Sequence, residues 1–324
     1  MLHIVLIGYG QIAKSQHIPV LRQSRAFKLM GVIDPQMDDA DGLPCFPDLP
    51  AFFKAGGRCD CVVICTPPTS RHALAEAAME KHLHVLLEKP PVSSLSALFT
   101  LKQMAVQRGV TLFTGWHSRY APCLPAIAAR LKNRHIREIE ICWQEDHRKW
   151  HPGAQWLWKA GGFGAFDAGV NALSLLHAVM KVPLVYQQGD MAFANGAETP
   201  IRAALHLSAG AEKIPVRAWF DIGAEPDDEN WTITWRLADG TTIKALEGGA
   251  SWSADGAVSP LNKADPHAEY RALYADFARC IAQATSSVVA VPYLIATDCL
   301  AQGRRHAGNM AVPDWVIPSR GGGT

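Results

Sequence analysis

The sequence predicts an α/β chain in two parts: a doubly wound parallel sheet first, then an α+β domain whose sheet is mostly antiparallel. Three observations predict this. Short, continuously apolar runs alternate with helical stretches as far as about residue 117; strands of strict apolar/polar alternation replace them after Arg119; and 324 residues exceed what one ordinary domain holds. The boundary is placed between residues 118 and 119, giving domains 1–118 and 119–324.

The strands of the first domain are Ile4–Ile7, Leu29–Ile33, Cys61–Cys65, His84–Leu87 and Thr111–Thr114. Runs apolar on both faces belong to a parallel sheet covered by helices on both sides. Arg71–Lys81 and Ser94–Arg108 supply such helices, rich in Ala, Leu and Met. In the second domain Ile139, Ile141 and Trp143 alternate with Glu138, Glu140 and Gln144, which reads as a half-exposed strand. Segments 184–191, 202–207, 214–221 and 231–237 are of similar texture, and Ala238-Asp239-Gly240 turns the last of them into Thr241-Thr242-Ile243. Helices near Asp167–Met180, Glu269–Ala284 and Tyr293–His306 are expected to flank this sheet. The glycine-rich end, Arg320–Thr324, reads as a frayed tail.

Composition narrows the partners. With 31 basic and 30 acidic residues the net charge is +1, so bulk electrostatics suggest neither a nucleic-acid groove nor attraction to a membrane surface. The opening Met1–Ile7 runs into glycines without a basic leader, so it reads as a strand and not a signal peptide. No apolar run approaches the length of a membrane span. The eight cysteines show no zinc-like spacing and read as reduced, buried thiols in a cytoplasmic protein, with no metal site.

Gly8-Tyr9-Gly10-Gln11-Ile12-Ala13 is a GxGxxA element directly after a strand and before a helical segment, the context that a dinucleotide fingerprint requires. Gly8 permits the tight turn, Gly10 keeps side-chain bulk away from a pyrophosphate, and Ala13 lets helix and strand pack closely, leaving helix N-terminal N–H groups for the anion. The first domain is therefore predicted to be a Rossmann domain. Asp34 ends the second strand about twenty residues on, where a carboxylate accepts from ribose hydroxyls and repels a 2′-phosphate. No Arg or Lys follows in Pro35–Asp39, which favours NAD over NADP. Cys65-Thr66-Pro67-Pro68 and Leu87-Glu88-Lys89-Pro90 end two further strands at the same carboxyl edge, so Gly8, Gly10, Gln11, Ile12, Asp34, Thr66, Pro67, Glu88 and Lys89 form the cofactor-binding set.

GYGQIA, CTPPTSRHALAEAA and LLEKPP, in this order, resemble the glucose-fructose oxidoreductase, inositol dehydrogenase and MocA family. Gly161–Asn171 resembles that family's second-domain motif, so the likeness spans both domains. The resemblance implies that Lys89 is the active-site lysine, oriented by a cis bond to Pro90, and that Asp167 and Asn171 face the substrate. Two departures stand out: Asn171 occupies the place of a histidine often used as general base, and the motif after the last Rossmann strand reads Trp116-His117-Ser118-Arg119. Both departures, and the stretch Glu145–Trp158, are similar to the branch acting on galactose and L-arabinose at C1. The implied reaction moves hydride from C1 of an aldopyranose to NAD and gives an aldonolactone.

That chemistry needs a base or an oxyanion stabiliser at the anomeric oxygen. Lys89 suits either role: desolvated, as proton acceptor; charged, as partner of a developing alkoxide. Asp167 and Asn171, four residues apart, share a helix face and are able to bind one ligand, and Gly161, Gly162 and Gly164 are expected to let the chain approach the cofactor domain closely. Glu145 keeps the parity of Ile139, Ile141 and Trp143, which sets its carboxylate on their face as a substrate ligand or second base; a salt bridge with Arg148 or Lys149 is the plainer alternative. Lys89, Asp167 and Glu145 are thus the catalytic candidates. Asn171, His151, Trp150 and His117 are the candidate substrate contacts, the tryptophan because its ring suits the CH face of a pyranose. A non-catalytic NAD-binding regulator of a sugar pathway is a rival reading, which retention of Lys89 and Asp167 disfavours. An NAD-dependent glycosidase of the same superfamily is another. A homodimer or homotetramer formed through the second domain is expected.

Overall fold

The computed structural model describes residues 1–37, 39–259 and 265–316; Asp38 and the tail Arg320–Thr324 lie outside them. The chain forms two units, Met1–His117 with His267–Val289, and Ser118–Pro266 with Ala290–Thr324.

The first unit is built on β1 (Leu2–Ile7), β2 (Phe27–Ile33), β3 (Cys45–Phe46), β4 (Cys61–Ile64), β5 (His84–Glu88) and β6 (Leu112–Gly115). They form one parallel sheet in the order β3-β2-β1-β4-β5-β6, the doubly wound arrangement whose order reverses beside β1. A π-helical turn at Ala13–His17 leads into α1 (Ile18–Arg22), followed along the chain by α2 (Leu49–Lys54), α3 (Pro68–Glu80) and α4 (Leu95–Arg108). Caps fix two of these starts: the Asp48 carboxylate accepts from the N–H of Ala51, and Ser94 Oγ from that of Ala97. Gly109, at φ +67°, ends α4 in the left-handed region. β3 and α2 had no counterpart in the sequence reading, being too short to show a period.

The second unit contains α5 (Leu124–Leu131), β7 (Ile136–Gln144), α6 (His147–Trp150), α7 (Ala165–Met180), β8 (Leu184–Phe193), β9 (Arg202–Ala209), β10 (Ile214–Asp221), β11 (Asn230–Leu237), β12 (Thr242–Leu246), β13 (Ser251–Ala254) and β14 (Ala257–Val258). The sheet order is β14-β13-β12-β11-β7-β10-β9-β8-β15, where β15 is Arg304–Ala307, and its pairs are antiparallel except β7 with β10 and β8 with β15. Between β14 and β15 lie α8 (Ala268–Ala282) and α9 (Val291–Gln302).

Three expectations are corrected. The helix expected at Glu269–Ala284 among those flanking the antiparallel sheet is α8, which belongs to the first unit. Its Phe277 stacks on Phe27 and tilts against Phe113, with ring centroids 5.7 and 5.5 Å apart, and Ser287 then pairs its backbone with the edge strand β6. That edge is thereby covered. The helix expected to reach His306 stops at Gln302, where the chain passes into β15. Finally, β7 is not half exposed. Its side chains alternate as expected, but the polar side is buried too: Glu140 lies between Arg217 and Arg236, and Cys142 packs with Trp219, Val316, Met310 and Trp315, so the C-terminal stretch covers this part of the face.

Candidate active site

In the first unit the GxGxxA turn has the geometry that a pyrophosphate requires. Gly8 sits at φ +95°, and a Cβ there would stand 2.9 Å from Thr66 Cγ2 and 2.9 Å from its backbone nitrogen, so only glycine fits. Gly10 is the opposite case: it is exposed, and a Cβ would meet nothing within 4 Å. The open space above Gly10, at the start of a helix whose second residue is Ile12, leaves room for a pyrophosphate. Gln11 is exposed there and Ala13 is fully buried. The Asp34 carboxylate is oriented by the N–H groups of Tyr9 (2.9 Å) and Gln36 (3.0 Å). Thr66 and Pro67 lead into α3, with Ser70 Oγ donating to Thr66 Oγ1 at 2.8 Å.

The Lys89–Pro90 bond is cis, and Lys89 is partly exposed beside a fully buried Glu88. Glu88 organises the centre of a polar cluster that the sequence reading missed. Its Oε1 accepts from Tyr270 Oη at 2.8 Å and lies 3.1 Å from His17 Nε2, and its Oε2 accepts from the Lys89 N–H at 2.7 Å. His17 in turn has Nδ1 2.7 Å from Tyr274 Oη. Burial alone would raise the Glu88 carboxyl, but the hydrogen bond and charge of His17, with His117 and Arg71, hold it down to about 2. His117 stacks on Tyr270 and its Nδ1 is 2.6 Å from Glu269 Oε2, so this candidate substrate contact sits against α8. The sole sequence signal for the cluster is the spacing of Tyr270, Tyr274 and Phe277 on one face of α8.

In the second unit β7 ends at Gln144, and Glu145 continues it with its N–H bonded to the carbonyl of Asp221. Glu145 is buried and Asp167, in the first turn of α7, is buried as well. Between them stands His151, whose Nε2 is 3.1 Å from Asp167 Oδ2 and 3.8 Å from Glu145 Oε1. Three sequence candidates thus come together. Asn171 lies one turn further along α7 and is partly exposed. The alternative pairing of Glu145 with Arg148 or Lys149 is not what the structure has: Arg148 binds Asp146 and Glu225, and Lys149 binds Glu229. Trp150 is 44 % exposed, with Nε1 donating to Glu229 and its ring edge-on to Trp231. It is Trp156 whose ring meets that of His151, edge-on at 6.1 Å. Two of the glycines before α7 serve packing inside this unit: a Cβ on Gly162 would collide with the carbonyl of Trp156 and one on Gly164 with that of Pro200.

A parallel 3-2-1-4-5-6 sheet with a GxGxxA turn and an acid closing β2 defines an NAD-binding oxidoreductase domain. Residues 2–116 match the family model described as "Oxidoreductase family, NAD-binding Rossmann fold" (GFO_IDH_MocA). Galactose 1-dehydrogenase of Pseudomonas fluorescens is 34 % identical over 302 residues, covering 93 % of this chain and 95 % of that protein. The crystal structure of D-galactose-1-dehydrogenase from Rhizobium etli superposes with a TM-score of 0.85 at 33 % identity, over 95 % of this chain and 96 % of the other. A 3-ketoreductase from Actinomadura kijaniata, crystallised with NADP, shares the fold at 15 % identity and a TM-score of 0.80, over 95 % and 99 % of the two chains. The chain belongs to the glucose-fructose oxidoreductase, inositol dehydrogenase and MocA family of NAD-dependent oxidoreductases. Among the described residues no helix is long and apolar enough to cross a membrane.

Proposed function

We propose that the protein is an aldose 1-dehydrogenase that oxidises galactose, or an arabinose of like configuration, at C1 to the aldonolactone. The observation that carries this reading is the buried pair Glu145 and Asp167 about the His151 imidazole, a concentration of acceptors suited to sugar hydroxyls, in a chain similar over nearly its whole length to two galactose 1-dehydrogenases. Gly8, Gly10, Gln11, Ile12, Asp34, Thr66 and Pro67 would hold the cofactor, and bound NAD supplies the hydride acceptor. Lys89 is assigned to the anomeric oxygen, taking its proton or stabilising the alkoxide as C–H cleavage proceeds. Asp167 and Glu145 accept from substrate hydroxyls and, through His151, provide a further acceptor for the proton. Asn171 supplies both a donor and an acceptor where a histidine would offer a base. Trp150 and His117 are assigned to the substrate's outer contacts.

Asp34 supports NAD in preference to NADP, since its carboxylate would face a 2′-phosphate. We further assign the protein to the cytoplasm, as a homodimer or homotetramer joined through the second unit, acting on a small sugar without nucleic-acid or membrane partners; sedimentation of the purified protein tests the assembly. The activity test is an aldose panel with NAD and NADP in parallel. NADH formation, fastest with galactose or arabinose, is expected, whereas no reduction with any aldose would remove the assignment. Sugar release from glycosides without net NADH would favour the glycosidase reading instead.

A further inference from the structure

The carbonyls of the residues before and after Lys89 are fastened by one side chain. Arg71, in α3, is only 4 % exposed. Its Nε donates to the carbonyl of Thr66 at 2.6 Å, and its Nη1 donates to the carbonyls of both Glu88 and Pro90. Thr66 belongs to the loop leaving β4, whereas Glu88 and Pro90 bracket the lysine as the chain leaves β5. A single planar guanidinium therefore ties together the two loops that end at the sheet's carboxyl edge. From the other side the Glu88 carboxylate accepts the N–H of Lys89 at 2.7 Å while Tyr270 and His17 hold that carboxylate in place.

Burying a permanent charge is expensive, and an apolar side chain would serve packing better. Part of that charge is answered by the Glu88 carboxylate, which it helps to hold ionised. Beside charge, the guanidinium adds geometry. Its fork of donors is rigid, so the carbonyls it bonds are fixed relative to one another, and a lysine ammonium at the same position, being a compact charge on a flexible stem, cannot span all three.

We propose that Arg71 is the positioning residue for Lys89, setting the direction in which the ε-amine leaves the backbone without touching substrate itself. The proposal rests on the reading of Lys89 as the group at the anomeric oxygen. Displacement of a reacting group by about 1 Å can cost about a hundredfold in rate, so the effect belongs in kcat.

The test compares Arg71→Lys, Arg71→Ala and Lys89→Ala in the full-length enzyme with galactose and NAD, reading kcat, both KM values, NAD affinity by fluorescence, and melting temperature. Arg71→Lys, which keeps charge and stem, is expected to stay folded and to lose about ten- to a hundredfold in kcat, with both KM values and NAD affinity within about threefold of wild type. Added guanidinium ion at non-denaturing concentration is expected to restore part of the activity of Arg71→Ala and none of that of Lys89→Ala. Wild-type kcat in Arg71→Lys while Lys89→Ala is inactive would overturn the proposal and leave the lysine assignment standing. So would losses in both Arg71 variants that merely follow the folded fraction or NAD binding, with no rescue. Near-normal turnover in Lys89→Ala would overturn the lysine assignment, and this proposal with it.

Discussion

His151 Nε2 lies 3.1 Å from the Oδ2 of Asp167, a residue sixteen positions away in a different element, with the aspartate almost wholly buried and the imidazole partly exposed. The pairing orients the ring. Asp167→Asn preserves size but removes the charge and replaces one acceptor oxygen with a donor. It is expected to reduce kcat/KM for the sugar about a hundredfold, roughly 3 kcal/mol of transition-state stabilisation, with the KM for NAD within about twofold. Steady-state kinetics with each substrate varied separately checks this, and an unchanged kcat/KM would exclude the acid from the reaction.

The two glycines of the cofactor turn are expected to fail differently. Gly10→Ala puts a methyl into open space, so the melting temperature should hold while NAD affinity falls at least tenfold, about 1.4 kcal/mol or more. Gly8→Ala forces an alanine to φ +95° against Thr66, so it should lose stability as well, by about 1–3 kcal/mol. Calorimetry and NAD titration on both variants measure the two effects separately. Equal stability losses would contradict the distinction.

Glu88 predicts a pH window. Its folded carboxyl titrates at about 2, below the ordinary value of 4.5, so its contribution is complete above pH 4.5 and is lost as the pH falls from there through about 2. A shift of that size corresponds to roughly 3 kcal/mol. Glu88→Gln should therefore be less stable at neutral pH and should show a flatter fall in stability between pH 4.5 and 2. Urea unfolding at a series of pH values reads both, and parallel curves for the two proteins would show that the carboxylate is not the group responsible.

The sequence carries the first unit well because its signals are local. Continuous apolar runs mark β1, β2, β4, β5 and β6, and the glycine spacing marks the turn after β1. The alternation in β7 likewise gave the side on which Glu145 emerges, since parity survives whatever covers the opposite face. Partners distant along the chain were not legible. Nothing in the pattern of α8 says that Phe277 meets Phe27 instead of the antiparallel sheet beside which the chain has just run. Arg71 and His17 look like ordinary polar helix residues until the fold brings them to Glu88, and nothing in the crowded tryptophans of 143–158 says that Trp156 is the one whose ring meets His151. Amphipathic period shows that a face is buried, not against what.

Hydride departure from C1 of an aldose is the claim on which the rest depends, and isotope transfer tests it most directly. With galactose deuterated at C1 and unlabelled NAD, mass spectrometry of the reduced nucleotide should show one deuterium per molecule formed, with an unlabelled lactone as the co-product. Unlabelled NADH together with a product that keeps its C1 deuterium would mean that a different carbon is oxidised.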